Sequence, residues 1–350
     1  MTKWIAALCL GLGIYAVGAP AQAGGTKIFK DWMAACDNVA ACSAYAFGGE
    51  DFDYAGYVLI HREAGPDAPL RLTVVIPPAD DHVVDAPVTW KAVLDGAPLD
   101  DFAAIAATPD DNGSWRVELT PARSQAFVEA VRNGDDLVLM RGDDQAARFS
   151  LAGISATLLW FDETQDRLGT TSAILRKGPR SSPPAPAAPV VVRGPDTPQA
   201  GLPRTLSAAV AARPELKSCE VDYGSADDLT VARLSPGTLL WAIPCSRGAY
   251  NTIFAMLLSD EAGGHVRRAV FPNTPGAGAD QTGELMNISY DPATRTLSNF
   301  DKARGIGDCG AMSDWVWTGK AFVLSAQSMM PDCRGVGPDD WPSVWKADVR

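Results

Sequence analysis

Six cysteines that follow an apolar N-terminal segment carry the clearest chemical signal in this sequence. They are Cys36, Cys42, Cys219, Cys245, Cys309 and Cys333. An even set of thiols behind an export signal pairs as disulfides in an oxidising compartment. A proline-rich stretch separates the first two cysteines from the other four. We therefore predict sequential pairing, with the disulfides Cys36–Cys42, Cys219–Cys245 and Cys309–Cys333.

The N-terminal residues 1–23 have the pattern of a cleavable signal peptide. Lys3 supplies the positive charge, Trp4 to Val17 the apolar run, and Ala21-Gln22-Ala23 the small-residue cleavage site. The pattern predicts release of a chain that starts near Gly24 into a Gram-negative periplasm, with a secreted product as the other option. No later apolar stretch is long enough to span a bilayer, so we expect no membrane insertion after cleavage.

The residues that usually hold metals or perform catalysis are sparse and poorly spaced. The three histidines, His61, His82 and His265, are not paired at helical spacing, and no H-E-x-x-H or C-x-x-C occurs. Neither a G-x-S-x-G elbow nor a phosphate-binding G-x-x-x-x-G-K-[ST] loop is present. The sequence therefore predicts no cofactor, no metal and no identifiable catalytic residue.

The formal net charge of -12 restricts the partners. An acidic surface repels the phosphates of nucleic acids and anionic lipid headgroups, so neither is expected as a partner. Most of the paired aspartates adjoin Gly, Pro or Asn, where Asp favours turns. None continues into the ligand spacing of a calcium loop.

A proline-rich segment divides the chain into two halves. Residues 179–203 contain eight prolines with small and polar neighbours. Proline cannot donate to a helix or a sheet, so the segment is predicted to be an extended linker without strand partners that holds the halves apart. We therefore predict an N-terminal domain over residues 24–178, a linker over 179–204 and a C-terminal domain over 205–350.

Both halves read as β structure with a few short helices. In the first half, short β-rich runs between turns predict a sandwich-like domain, with one helix after Thr120-Pro121 and a second opening at Ser150. In the second half, a short helix from Leu206 to Ala212 precedes strands joined by tight turns. Such connections predict an antiparallel meander, stapled by disulfides.

Several motifs resemble a family of exported proteobacterial proteins catalogued as domain of unknown function 1176. In the first half these are Phe29-Lys30-Asp31-Trp32 and the cysteine pair before Ser43-Ala44-Tyr45. In the second half they include Pro244-Cys245, Arg304-Gly305-Ile306-Gly307-Asp308-Cys309-Gly310 and Trp315-Val316-Trp317. The first half, through Phe149-Ser150-Leu151-Ala152-Gly153, also looks like the invasion-associated locus B proteins. Neither resemblance implies an established activity.

Tryptophans in the second half offer a candidate binding surface. Trp315 and Trp317 have the period of two that places both on one face of a strand. A small β domain needs large aromatic side chains in its core, which is the first interpretation. If the face is instead open, it forms an aromatic platform, and the polar candidates nearest to it are Asn251, Arg304 and Asp308.

These observations favour an exported protein that binds an unknown envelope protein, peptide or glycan without catalysis. One alternative is a periplasmic hydrolase of envelope polymers, which would need a deep pocket with two carboxyl groups about 5–10 Å apart. Another is an inhibitor of cell-wall enzymes, which would need a rigid protruding loop carrying Arg304 or Asp308.

Overall fold

The structure is a computed structural model of the chain. It describes residues 25–49, 56–78, 86–111, 113–219, 229–275, 277–280 and 282–350. The predicted signal peptide and His82 lie outside these ranges. The described chain is mainly β with short helices, as the sequence predicted.

The described residues of the first half form eleven strands, several of which show an alternation of apolar residues. The strands are β1 (Thr26–Phe29), β2 (Trp32–Cys36), β3 (Cys42–Phe47), β4 (Tyr57–Arg62), β5 (Leu70–Ile76), β6 (Val88–Leu94), β7 (Ala97–Pro98), β8 (Ile105–Pro109), β9 (Trp115–Leu119), β10 (Asp136–Arg141) and β11 (Asp144–Ser150). In β5, for example, Leu70, Leu72 and Val74 point to one side and enter the core.

These strands belong to one antiparallel sheet rather than two. Its order is β1-β2-β3-β4-β5-β9-β8-β6-β10-β11, with β7 paired to β6. The sheet curls around a single apolar core to which β2 to β6 and β8 to β11 all contribute. The two layers of the predicted sandwich are thus two parts of one curled sheet.

Two α-helices cover this sheet, α1 (Pro121–Val131) and α2 (Ile154–Thr164). The first begins as predicted, because the Thr120 hydroxyl accepts a hydrogen bond from the Arg123 N–H and Pro121 occupies the first turn. The second begins at Ile154 rather than Ser150. Ser150 is the last residue of β11, and the chain reverses at Gly153, whose φ of 107° an L side chain rarely adopts.

The described residues of the second half form short strands and one α-helix, α3 (Ala208–Ala211). The strands are β12 (Val190–Val191), β13 (Thr230–Ser235), β14 (Thr238–Arg247), β15 (Thr252–Ser259), β16 (Arg267–Arg268), β17 (Phe271–Pro272), β18 (Ala279–Asp280), β19 (Glu284–Met286), β20 (Ser289–Asp291), β21 (Thr296–Lys302), β22 (Gly310–Trp317), β23 (Phe322–Met330), β24 (Ser343–Lys346) and β25 (Asp348–Val349). Three short 3-10 helices complete the described elements: Asp100–Phe102, Pro214–Ser218 and Pro338–Asp340.

Two sheets pack face to face in the second half. One contains β13 to β16 in sequence order with β19 beside β15, and the other runs β20-β21-β22-β23-β24. Sequential neighbours pair antiparallel in both, so the predicted meander is confirmed. An apolar core lies between the sheets, and a second cluster lies between the outer face of the first sheet and the segment that contains α3.

The three disulfides join successive cysteines, as predicted. Their Cα–Cα distances are 4.1 Å for Cys36–Cys42, 4.4 Å for Cys219–Cys245 and 4.8 Å for Cys309–Cys333. The first closes the turn between β2 and β3, and the third joins the start of β22 to the loop after β23. The second ties the end of the 3-10 helix Pro214–Ser218 to β14.

The proline-rich segment contacts both halves instead of holding them apart. Near its start, the Arg180 N–H donates to the Gly169 carbonyl of the first half, and its later residues lie along the second half. Its strand β12 pairs in parallel with β25, and the Gly194 N–H donates to the Trp317 carbonyl. The expectation that this backbone has no strand partner is therefore wrong for Val190 and Val191. The domain boundaries at 178 and 205 stay a prediction.

The two halves contact each other through a mixed apolar and polar interface. Its apolar part places Met33 and Tyr45 of the first sheet against Met330 and Trp341 of the second half. Its polar part includes Asn38 in the Cys36–Cys42 turn, whose side chain exchanges two hydrogen bonds with the backbone of Lys346, at 3.0 and 2.7 Å. Asn38 thus extends the hydrogen bonding of β24 across the interface.

Candidate functional site

The two tryptophans of the predicted aromatic face are buried. The exposed fraction is 3% for Trp315 and 1% for Trp317, and both lie in the core between the two sheets of the second half. Trp315 packs against Phe271 at a ring distance of 5.2 Å and donates its indole N–H to the Pro272 carbonyl at 2.7 Å. The hypothesis of an open aromatic platform is therefore wrong, because the opposite sheet covers this face.

The structure brings Arg304 and Asp308 together, but they bind each other. Nε and Nη2 of Arg304 donate to the two carboxylate oxygens of Asp308 at 2.7 and 2.5 Å. Arg304 also donates to the Cys333 carbonyl, and Asp308 accepts from the Gly335 N–H. Burial raises the pKa of Asp308, but these hydrogen bonds lower it more, so the pKa lies below its ordinary value. Both side chains hold the loop beside the Cys309–Cys333 disulfide in place.

Asn251 connects the two sheets. Its amide donates to the Lys302 carbonyl at the end of β21, and its carbonyl oxygen accepts from the Asn287 amide at 2.7 Å. Asn287 in turn donates to the Phe300 carbonyl and accepts from the Thr252 N–H. We call this pair of amides the Asn251–Asn287 clamp. Asn251 lies two residues before Ile253 and Asn287 two residues after Leu285, and both of these apolar residues line the groove described next.

A groove of about 560 Å³ opens between the two sheets of the second half. Strand pairing places Asn299 of β21, Ser313 of β22 and Gln327 of β23 directly opposite one another. All three line the groove, with Asp301 two residues beyond Asn299 and Trp315 two residues beyond Ser313. Residues two apart share a face, so one face of this sheet changes from apolar core to a polar surface where the groove opens.

We call Asn299, Ser313, Gln327 and Asp301 the polar row. Asn299 donates to Asp301 at 2.9 Å, and its amide oxygen accepts from the Ser313 N–H at 3.1 Å. Gln327 donates to the Ser313 hydroxyl oxygen at 3.0 Å. These bonds orient the side chains, and the amide oxygen of Gln327 accepts no hydrogen bond from the described residues. The polar row can therefore offer oriented acceptors and a hydroxyl donor to a ligand.

The opposite wall of the groove mixes apolar and polar side chains. It includes Leu285 and Met286 of β19 together with Asn273 and Thr274 from the loop after β17. Among the described lining residues the charged ones are Asp301 and Glu284, so the groove carries negative charge without a lining lysine or arginine. It favours an uncharged or cationic ligand over an anionic one.

The sequence contains a signal for the polar row that the tryptophan pattern alone does not show. On β21 the alternate residues Leu297, Asn299 and Asp301 pass from apolar to polar, and on β22 Trp315 and Ser313 do the same in reverse. Alternation along one strand shows which of its residues share a face. Which residue of the neighbouring strand lies opposite each of them depends on the strand register. Trp315 and Ser313 lie on the same strand, β22, and Ser313 lies where this face opens into the groove.

The histidines have local partners. His61 Nδ1 is 2.9 Å from the Ser43 hydroxyl, and His265 Nδ1 is 2.6 Å from an Asp260 carboxylate oxygen. Within the described ranges, no three or more His, Cys, Asp or Glu side chains gather as ligands for a metal ion. None of the helices in these ranges combines the length and apolar character that crossing a membrane requires.

Comparison with known proteins places the whole described fold in one family. The family model described as "Protein of unknown function (DUF1176)" matches residues 26–348. The chain is also similar to "Uncharacterized protein YpfG" of Escherichia coli (strain K12), with 32% identity over 353 residues that cover 93% of each chain. No solved structure matches significantly. The likeness of the first half to the invasion-associated locus B proteins stays a prediction. The chain belongs to the family Protein of unknown function (DUF1176).

Proposed function

We propose that this protein is an exported, non-catalytic binding protein of the bacterial envelope. In this proposal the groove of the second half holds an uncharged ligand rich in hydroxyl or amide groups. The observation that carries the proposal is the polar row, in which Asn299, Ser313, Gln327 and Asp301 present oriented polar groups on a rigid sheet. Rigid side chains lose little conformational freedom on binding, which favours affinity.

The buried position of Trp315 argues for hydrogen bonding rather than ring stacking as the main contact. The indole N–H is already bonded to the Pro272 carbonyl, so the ring closes the inner end of the groove. A ligand would instead place its polar groups along Ser313 and Gln327, with its apolar side toward Leu285 and Met286. Oligomers of N-acetylglucosamine carry both hydroxyl and amide groups on every unit and are suitable first probes.

Export to the periplasm is the second part of the proposal. Three disulfides support it, since such bonds persist in oxidising compartments and are rare where glutathione keeps thiols reduced. The signal-peptide pattern of residues 1–23 supports it independently. Fractionation of cells expressing the full chain, followed by N-terminal sequencing, should recover a periplasmic form starting near Gly24. Recovery of the uncleaved chain in the cytoplasm would contradict export.

The ligand proposal is tested with the intact chain by titration calorimetry and amide NMR. Oligomers of N-acetylglucosamine and neutral tripeptides should perturb the amide signals of β21 to β23 and no comparable set in the first half. Gln327→Ala should weaken binding by about fivefold to tenfold, because it removes the acceptor and the support of Ser313.

Gln125→Ala is the matched control, since this glutamine also makes one side-chain amide bond, to Glu129, but lies on α1 in the first half. It should leave binding unchanged. Perturbation restricted to the first half, or equal effects of the two variants, would contradict a ligand site in the groove.

A hydrolase is the alternative that one observation favours, since Asp301 and Glu284 are two carboxylates lining the same groove. Incubation with envelope polymers distinguishes it from binding alone. Release of soluble fragments that depends on both Asp301 and Glu284 would establish catalysis, whereas binding without release supports the leading proposal.

A further inference from the structure

A larger cleft of about 1120 Å³ lies between the two ends of the curled sheet. The strands β1 and β11 are the first and last in the sheet order, so each has one neighbouring strand in the described chain. The cleft is lined by Ile28 and Lys30 at the β1 side, and by Asp332 and Arg334 from the second half. Its remaining walls are formed by β11, by Trp32 and Met33 of β2 with Asp31 before them, and by residues at the end of β3 and the start of β10.

Four consecutive residues of β11, 145–148, line this cleft. Successive side chains of a strand point to opposite faces, so a cavity that touches four in a row lies along the strand edge. At that edge, alternate residues direct their backbone N–H and C=O groups away from β10. Along this stretch Gln145 and Arg148 are exposed and Ala146 and Ser150 half-buried, whereas Ala147 and Phe149 are buried in the core.

The edge of β11 carries few of the features that block strand addition. Proteins commonly protect edges with proline, lysine or bulges. Here Arg148 is drawn back to Asp136 of β10 by an ion pair of 2.7 Å, and no proline or lysine occurs between Asp144 and Ser150. Ala146 forms a β-bulge, because Leu139 pairs with Ala147 and Met140 pairs with Gln145. The regular part of the edge therefore extends from Ala147 to Ser150.

The charged residues around the cleft indicate which sign of charge a binding partner should carry. Its lining contains the carboxylates of Asp31, Asp135, Asp136 and Asp332 and the cations Lys30, Arg148 and Arg334. Asp136 pairs with Arg148, whereas Asp135 and Asp332 have no cationic partner among the described residues. Arg334 is held by the Gly48 and Gly49 carbonyls and lies 5.3 Å from the Phe47 ring. Carboxylates exceed cations in the lining by one, and the chain has a net charge of -12, so a basic segment is favoured over a second copy of the same acidic chain.

We propose that β11 accepts an extended basic segment of another polypeptide as an added strand. Backbone hydrogen bonds along Ala147 to Ser150 supply the affinity, as in other cases of strand addition, except at the Ser150 carbonyl, which already accepts from the Trp32 indole N–H. Lysine or arginine side chains of the segment face Asp135 and Asp332 and supply selectivity. This site is separate from the groove of the second half and does not depend on the function proposed for that groove.

The test uses the intact, disulfide-bonded chain and pools of short synthetic peptides that alternate β-branched residues with lysine. Matched pools carry glutamate in place of lysine, or N-methyl groups on alternate backbone amides. Hydrogen exchange should show protection of residues 145–150 by lysine peptides. Glutamate peptides and peptides methylated on the pairing edge should give none.

Asp135→Asn with Asp332→Asn should weaken binding of the lysine peptides about fivefold, since two exposed ion pairs are lost. Asp143→Asn, in the turn between β10 and β11 and outside the cleft lining, is the matched control and should have no effect. The proposal is overturned if no pool protects this edge or if methylated peptides bind equally well. Protection by self-association of the chain, measured by sedimentation, would also overturn it.

Discussion

The carboxylate of Asp340 accepts two hydrogen bonds from the guanidinium of Arg116, at 2.7 and 3.0 Å, across 224 positions of sequence. Tyr57 donates its hydroxyl to the same carboxylate, and Tyr45 donates to the Asp340 backbone carbonyl. Burial, followed by the adjacent Asp340, raises the pKa of the Tyr57 hydroxyl, which stays protonated as a donor. One short 3-10 helix of the second half is thus fixed to three strands of the first.

Asp340→Asn should destabilise the folded chain by about 1.5–3 kcal/mol, because Arg116 loses a charged partner at a site where Asp340 is only 11% exposed. Asp339→Asn is the matched control, since this neighbour is exposed and its side chain makes no hydrogen bond to the described residues. Urea unfolding measures both variants. Equal midpoints for the two would show that the Arg116–Asp340 pair does not stabilise the interface.

Trp315→Ala should cost about 3–5 kcal/mol of unfolding free energy, because it leaves a cavity between two packed sheets. Trp115→Ala, at a half-buried position in β9, should cost less. Thermal and denaturant unfolding would compare them. A nearly unchanged stability for Trp315→Ala would restore the interpretation of this residue as part of an open binding face.

Stability at acid pH should depend on Glu215. Hydrogen bonds from Arg213 lower its pKa most, burial opposes them and Arg268 adds to them, which brings the pKa to about 2 from 4.5. Because the folded pKa lies below the unfolded one, the carboxylate stabilises the fold above about pH 4.5 and loses this contribution as pH falls toward 2.

Glu215→Gln should therefore lower the unfolding free energy at neutral pH. It should also make this free energy fall less steeply as the pH drops from about 4.5 toward 2. Glu163→Gln, at an exposed helix end without an ion pair in the described chain, should keep the wild-type profile. Unfolding midpoints measured across the acid range would decide between them. Parallel profiles for the wild type and Glu215→Gln would contradict the assignment.

The disulfides should contribute according to the loops they close. In a loop-entropy model, replacing Cys309 and Cys333 by serine costs about 3–4 kcal/mol, which is about 1 kcal/mol more than replacing Cys36 and Cys42. The reason is the sequence separation, 24 against 6 residues. Unfolding of the two double variants tests the order, and the reverse order would mean that native contacts outweigh loop length.

Limited proteolysis should cut the proline-rich segment first at residues 184–187, which are exposed, and not at Val190 and Val191, which pair with β25. The two fragments should stay together on gel filtration, because the apolar interface and the Arg116–Asp340 pair do not need the covalent link. Fragments that separate in native buffer would show that the interface is too weak to hold the halves.

The sequence alone determined the features that depend on local pattern and chemistry. The order of the cysteines predicted the three disulfides, and the β-rich runs between turns predicted the fold class. Thr120-Pro121 predicted the start of α1. In each case the deciding interaction lies within a short stretch or between neighbouring strands. Short connections between successive strands likewise determined the meander of the second half, because such strands pair with each other.

Only the tertiary structure decided which faces are covered and which residues meet across the chain. Period two places Trp315 and Trp317 on one face, but whether that face is core or surface depends on the opposite sheet. The polar row, the Asn251–Asn287 clamp and the Arg116–Asp340 pair all depend on strand register or on contacts between distant segments. A local sequence pattern does not contain these relationships, since each is set by the packing of the whole chain.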